Sequence, residues 1–149
     1  MTSGATTLVI VNPAAGGGST EGRWPRIRDL LPRQLEFDLA FSQYAGHAIQ
    51  LARQAREQGY RQLICVGGDG TLHEVANGLM AANSNLPIPA LGIVPTGTGA
   101  DLARSVGIPH RLAEACARLA RPQTLLSDLG TVSFEGLQGP ERRYFVNAA

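Results

Sequence analysis

Short apolar runs alternate along this chain with stretches in which apolar residues recur every three or four positions. The runs predict strands at residues 7–11, 36–41, 62–66, 90–94 and 125–129, with a last one at 144–147. Leu63-Ile64-Cys65-Val66 and Leu91-Gly92-Ile93-Val94 show no polar alternation, as expected of strands covered on both faces. The intervening stretches predict helices at 24–31, 46–58, 72–82, 101–106 and 111–119. Ala48, Leu51, Ala52 and Ala55 share one helical face, and Gly59 stands where a C-terminal cap is needed. Leu72, Val75, Ala76 and Leu79 form a second such face, with Met80 assigned to the core. Strands alternating with helices predict an α/β fold: an open parallel sheet with helices on both faces.

Glycine-rich loops follow three of these strands. Gly67-Gly68-Asp69-Gly70-Thr71 comes directly after Leu63-Ile64-Cys65-Val66 and opens a helix. Glycines allow positive φ and close approach of a ligand to backbone N–H groups, and the helix directs its positive end at the same place. Thr71 with Glu74 three residues on predicts a capping box. A carboxylate inside an anion-binding turn points to the handling of a metal ion, a hydroxyl or a proton there; a tight structural turn uses the same residues. Asn12-Pro13-Ala14-Ala15-Gly16-Gly17-Gly18-Ser19 follows the first strand, where Pro13 ends the pairing. Pro95-Thr96-Gly97-Thr98-Gly99-Ala100-Asp101 follows the strand at 90–94. In an open parallel sheet such loops gather at the carboxyl ends of the strands and line one crevice.

Composition changes the picture little. The chain has 149 residues, enough for one domain with a real core, and 44% hydrophobic and 17% charged residues fit an ordinary globular protein. A formal net charge of +1 gives no bulk field toward nucleic acid or an acidic membrane. No apolar stretch reaches the roughly 18 residues of a spanning helix, and the first residues lack the basic start and apolar core of a signal peptide. Cys65 and Cys116 lack framework spacing and read as reduced, space-filling residues. The expected location is cytoplasmic. Arg23, Arg26, Arg28 and Arg33 around Trp24 read as a solvated face, with contact to phosphate or a lipid headgroup as the alternative.

The chain resembles the diacylglycerol kinase catalytic domain family, which includes bacterial lipid kinases and sphingosine kinases and is similar in fold to NAD kinases. The matching pieces are Asn12-Pro13 with Gly16, the Gly67–Thr71 pentapeptide continuing as Leu72-His73-Glu74-Val75-Ala76-Asn77-Gly78, and Pro95-Thr96-Gly97-Thr98-Gly99 with Asp101-Leu102-Ala103-Arg104. The resemblance implies ATP across the loops: Asn12 and the amides of Ala14, Ala15 and Gly16 from the first, Gly67, Gly68, Gly70, Thr71 and Leu72 from the main cradle, and Thr98 from the third, with Thr96 shaping the turn. It also implies a nucleotide contact from Ser42, a position the family usually fills with threonine; turn or capping chemistry is the other reading. Asp69 is the candidate catalytic residue. It would organise Mg²⁺ through bound water or orient the acceptor hydroxyl, and it can also act as a helix cap. The family usually has asparagine where Ala100 stands, so that part of the loop departs from the pattern.

The implied activity is transfer of the ATP γ-phosphoryl group to a hydroxyl of a diacylglycerol-like lipid at a membrane surface, as in phospholipid biosynthesis. NAD kinase or a non-catalytic nucleotide-binding module are the alternatives, the Asn12-Pro13 loop and residues 96–104 favouring the lipid kinase. Residues 1–130 are expected to form the nucleotide-binding domain, and 131–149 a turn-rich link and the first strand of a second, sheet-rich domain. That reading makes the chain a piece of a longer enzyme, inactive alone and inclined to self-associate through an unpaired strand at Tyr144-Phe145-Val146.

Overall fold

The computed structural model describes residues 4–146. Its elements are β1 (Thr7–Val11), α1 (Ser19–Leu30), β2 (Asp38–Phe41), α2 (His47–Glu57), β3 (Gln62–Gly67), α3 (Asp69–Ala81), β4 (Ala90–Pro95), α4 (Asp101–Ser105), α5 (Leu112–Arg118), β5 (Gly130–Gly136) and β6 (Gly139–Phe145). The first four strands pair in parallel in the order β2-β1-β3-β4, as the alternation of elements predicts. Side chains of a strand point alternately to opposite faces. Leu8, Ile10, Leu63 and Cys65 therefore meet α2 and α3, while Val9, Val11, Ile64 and Val66 meet Trp24 and Ile27 of α1 and Cys116 of α5. Each such aliphatic side chain contributes roughly 1.5–3 kcal/mol on burial. With helices on both faces, α1 and α3 leave β1 and β3 toward opposite sides. That divergence opens a crevice above the carboxyl ends of the strands.

Helices α2 and α3 pack backbone to backbone. A Cβ built on Gly78 would fall on the carbonyl oxygen of Ile49 and come within 2.8 Å of the Ala52 Cβ. The C-terminal end of α3 is held by Arg56, whose guanidinium donates to the carbonyls of Leu79 at 2.6 Å and Leu86 at 3.2 Å. No helix among the described residues is long and apolar enough to cross a membrane.

Several boundaries differ from the sequence reading. Helix α1 starts at Ser19, five residues early, and runs through Pro25, because Thr20 at its start and Trp24 and Ile27 further on are all buried. Helix α3 starts at Asp69, with Gly68 as N-cap. The expected Thr71–Glu74 capping box is absent: Glu74 Oε1 accepts the Gly46 N–H at 2.9 Å and Thr71 Oγ1 accepts from Asn12. Residues 125–129 are not a strand, since no described neighbour pairs them and Leu125 and Leu126 stand exposed.

The expected link is instead an antiparallel hairpin, β5 with β6, closing at Gly136 opposite Gly139. Gly139, at φ 116°, supplies the left-handed turn, and the Phe145 ring lies where Gly130 lacks a side chain. Glycines read as breakers here serve a turn and a ring contact. Tyr144 is accordingly not part of an unpaired strand: it lies opposite Thr131, its N–H donates to Asn77 Oδ1 at 2.9 Å and its carbonyl accepts from Asn77 Nδ2 at 2.8 Å. The terminal strand predicted to Asn147 ends outside the described residues.

Both cysteines are free and buried, as expected. Burial, and secondarily the Glu74 carboxylate, pushes the Cys65 thiol up to about 12. Burial alone takes Cys116 to about 11. Tyr60 also rises to about 12, through burial first and then its 2.5 Å hydrogen bond to Asp38 and that residue's charge.

Replacing Gly78 by alanine is expected to destabilise the fold by about 1–3 kcal/mol through overpacking, read from urea unfolding midpoints. The three raised acids give a second expectation. Each stays neutral when folded over a range where the unfolded chain ionises it, so stability is retained below about pH 9 and lost as pH rises through 9 to 12. Thermal midpoints across that range should fall, and Tyr60→Phe should flatten the upper part; an unchanged slope in that variant counts against the assignment.

Candidate functional site

A groove of about 970 Å³ lies over the carboxyl end of β1. One wall is the loop after β1, from Asn12 to Gly16, backed by Trp24 and Pro25 of α1. The other is the junction of β2 with α2, from Phe41 to Ala45, together with Gly68, Gly70, Thr71 and Glu74 at the start of α3. The volume is within the ~300–1,000 Å³ common for small-molecule sites.

Asn12 organises the first wall. Its Nδ2 donates to Thr71 Oγ1 at 2.8 Å, and its Oδ1 accepts the Ala14 N–H at 3.1 Å. Its carbonyl takes the Ala15 N–H at 3.1 Å. Of the three amides expected to face phosphate, only that of Gly16 is without an acceptor among the described residues. Asn12 thus shapes the loop and ties it to α3.

The start of α3 forms the opposite floor. N–H groups in the first turn of a helix have no intrahelical acceptor. A Cβ on Gly70 would meet nothing within 4 Å, so the backbone is open to the groove there. Gly67 plays a different part: a Cβ on it would stand 2.6 Å from Thr71 Oγ1, so the glycine lets the turn close. Leu72 departs from the expected cradle. Its side chain is buried against the sheet and its N–H donates to the Gly68 carbonyl at 3.1 Å. Ser42 lines the groove and is nearly buried, yet its hydroxyl has no partner among the described residues.

The third loop packs behind the groove and does not form its wall. Thr98 is exposed and lies outside the lining. Thr96 is buried and meets Thr20 hydroxyl to hydroxyl at 2.7 Å. Thr20 also donates to the Ala15 carbonyl at 2.9 Å, so this one side chain joins the first and third loops. Sequence reasoning missed it; its signal was a hydroxyl two residues after a glycine triplet, in the first turn of a helix. Also missed as lining residues were Trp24, Phe41, Tyr44 and Glu74, because α1, β2 and α2 meet here only in three dimensions.

Asp69 faces the third loop. Its Oδ2 accepts the Asp101 N–H at 3.0 Å and its other oxygen has no partner among the described residues. The residue that would normally cap α4, Ala100, has no side-chain acceptor and is left-handed at φ 50°. The Asp69 carboxylate, which lies outside the groove lining, thus bonds the first N–H of α4. Asp101 itself pairs with Arg104 at 3.2 Å on the exposed side. Among the described residues no cluster of three metal-ligating side chains occurs. On the far side of α1, Arg23 and Arg26 share a second cleft with Arg111 and Glu114.

The three loops lie inside the segment that a family model matches. The family model for the diacylglycerol kinase catalytic domain matches residues 6–132. The chain is 35% identical over 144 residues to the Bacillus subtilis protein named "Putative lipid kinase YtlR", covering 93% of this chain and 45% of that one. It is 28% identical to a diacylglycerol kinase of Staphylococcus carnosus, over 95% of this chain and 43% of the relative. The crystal structure of a diacylglycerol kinase from Bacillus anthracis strain Sterne superposes with a TM-score of 0.72 at 28% identity, over 90% of this chain and 44% of the other. The chain therefore spans less than half the length of these relatives. With the matched residues running from before β1 into β5, and the fold shared as well, this chain belongs to the diacylglycerol kinase catalytic domain family.

Proposed function

We propose that the protein binds ATP with Mg²⁺ in the groove and serves the transfer of the γ-phosphoryl group to a hydroxyl of a diacylglycerol-like lipid. In that reaction the lipid oxygen gains a bond to the γ-phosphorus, the bond from that phosphorus to the ADP oxygen breaks, and the hydroxyl proton passes to solvent water. The observation that carries the reading is the open backbone of Gly70 in the first turn of α3, beside a carboxylate. A helix start with free N–H groups holds phosphate oxygens. Asp69 has one oxygen tied to α4 and one free. One carboxylate plus substrate phosphates suits Mg²⁺, which keeps most of its waters. When bound, the ion would offset phosphate charge. The protein's own part is to fix the phosphates on the Gly68–Thr71 backbone, hold the first loop by Asn12, and keep Asp69 in place through α4. The Asn12-Pro13 loop and the family match favour a lipid acceptor over NAD, and the site of action is then cytoplasmic and peripheral to a membrane. Residues 1–130 would supply the nucleotide half, and the hairpin would lead into a second, sheet-rich domain.

The protein as expressed from its own gene should transfer phosphate from labelled ATP to diacylglycerol in mixed micelles, and not to NAD. Transfer to NAD alone overturns the lipid reading; transfer to neither leaves the nucleotide-binding module as the better account. Gly70→Ala should raise or maintain stability, since alanine is favoured over glycine in a helix by up to about 1 kcal/mol. The same change should weaken ATP binding at least tenfold by placing a methyl group in the phosphate position. Equal binding by titration calorimetry removes the phosphates from α3. Asp69→Asn retains an oxygen for the Asp101 N–H, so stability should fall by less than the ~1 kcal/mol of a lost cap. Turnover should fall at least about a hundredfold, or ~2.7 kcal/mol in the barrier. Wild-type turnover in that variant takes Asp69 out of the chemistry.

A further inference from the structure

The groove has an aromatic end that the phosphate chemistry leaves unused. Tyr44 lies in the lining, 56% exposed, and its ring is stacked on His47 at 4.7 Å between centroids and 12° between planes. An exposed tyrosine ordinarily samples several rotamers, but three separate contacts fix this one. The Gln43 N–H donates to His47 Nδ1 at 3.0 Å, which sets the imidazole plane. The His47 N–H donates to the Tyr44 carbonyl at 3.1 Å, which closes the turn carrying both rings. The Tyr44 hydroxyl donates to Gln50 Oε1 at 3.2 Å, one turn further along α2. One ring face is covered by His47. Nothing among the described residues is stacked on the other.

We infer that Tyr44, backed by His47, is a stacking platform for the heteroaromatic base of a nucleotide whose phosphates lie on α3. This rests on the nucleotide reading of the same groove and goes beyond it by naming a residue that selects for a base. The arrangement fits that role physically. A preorganised ring loses little entropy on ligand binding. Offset stacking gains from the ring's quadrupole and from the apolar area covered. The unpartnered Ser42 hydroxyl lies two residues away in the same wall, where a base edge or ribose would need a polar contact. The competing aromatic surface is Phe41, which already makes an edge-to-face contact with Trp24 at 6.0 Å. Tyr44 has no such commitment on its free face.

Titration calorimetry with Mg²⁺-ATP and with Mg²⁺-tripolyphosphate, on the wild-type protein, Tyr44→Ala, Tyr44→Phe and His47→Ala, tests this. Base stacking on an aromatic side chain predicts a loss of about five- to hundredfold in ATP affinity for Tyr44→Ala. Tripolyphosphate affinity should stay within twofold, Tyr44→Phe should bind ATP nearly as wild type, and His47→Ala should fall between. Wild-type protein that binds both probes, but with ATP affinity unchanged in Tyr44→Ala, overturns the platform while leaving the phosphate site standing. An equal loss for both probes assigns Tyr44 to the shape of the groove and also overturns it. Binding of neither probe to the wild-type protein overturns the nucleotide reading and the platform with it. Tyr44 is exposed, so melting temperatures of the two Tyr44 variants should match wild type and separate lost binding from lost folding.

Discussion

The site depends on backbone meeting backbone at Gly68 and Gly97. A Cβ on Gly97 would stand 2.7 Å from the Gly68 Cα, and one on Gly16 would come within 2.6 Å of the Thr96 carbonyl oxygen. These contacts bring the loops after β1, β3 and β4 into one layer. Interiors packed at this density do not yield to an added methyl group without backbone movement. The Thr20–Thr96 hydroxyl contact and the Asp69–Asp101 hydrogen bond both span gaps set by that layer. Without it, the carboxylate and the first-turn N–H groups of α3 would lose their fixed relation to the first loop.

Helix α3 carries this arrangement away from the groove. Asp69 holds the third loop and Thr71 the first, Glu74 holds the Gly46 N–H at the start of α2, and Asn77 holds both backbone groups of Tyr144 in β6. Gly78 then locks the helix against α2. Successive turns of one rod thus touch the groove, the neighbouring helix and the hairpin. A side-chain amide that both donates to and accepts from the same residue imitates a strand neighbour, which is how a helix anchors the edge of a hairpin.

The third loop shows how a helix without a cap of its own is served from a neighbouring segment. Ala100 sits in the left-handed region, where an L-residue with a Cβ bears a cost of roughly 1–2 kcal/mol and asparagine or glycine is better tolerated. It also offers no cap to α4. The Asp69 oxygen supplies the missing acceptor, so the residue proposed for the chemistry also orders the loop beside it. Capping occupies one oxygen of that carboxylate and leaves the other for the proposed chemistry.

Much of this was written in local sequence. The β1, β3 and β4 runs predicted parallel strands within one residue of their observed ends; β1 and β3 are apolar because both their faces are buried, while β4 at the sheet edge is buried only at Val94 and Pro95. The glycine clusters marked the loops, because close backbone approach admits little else. Local sequence misled where the meaning of a residue depended on a distant partner. Glu74 looked like a cap for its own helix and holds the Gly46 N–H instead. Leu72 sat inside the motif but turns into the core. The glycines at 130, 136 and 139 looked like a link and form a hairpin. Thr20, Phe41 and Tyr44 carried no distinctive pattern, and only the strand order β2-β1-β3-β4 brings their segments to one groove. The sequence by itself determined which segments are buried and where the backbone stays bare, since hydrophobic period and glycine act over a few residues. Tertiary structure alone decided which side chains line the groove, since that depends on contacts between segments far apart in the chain.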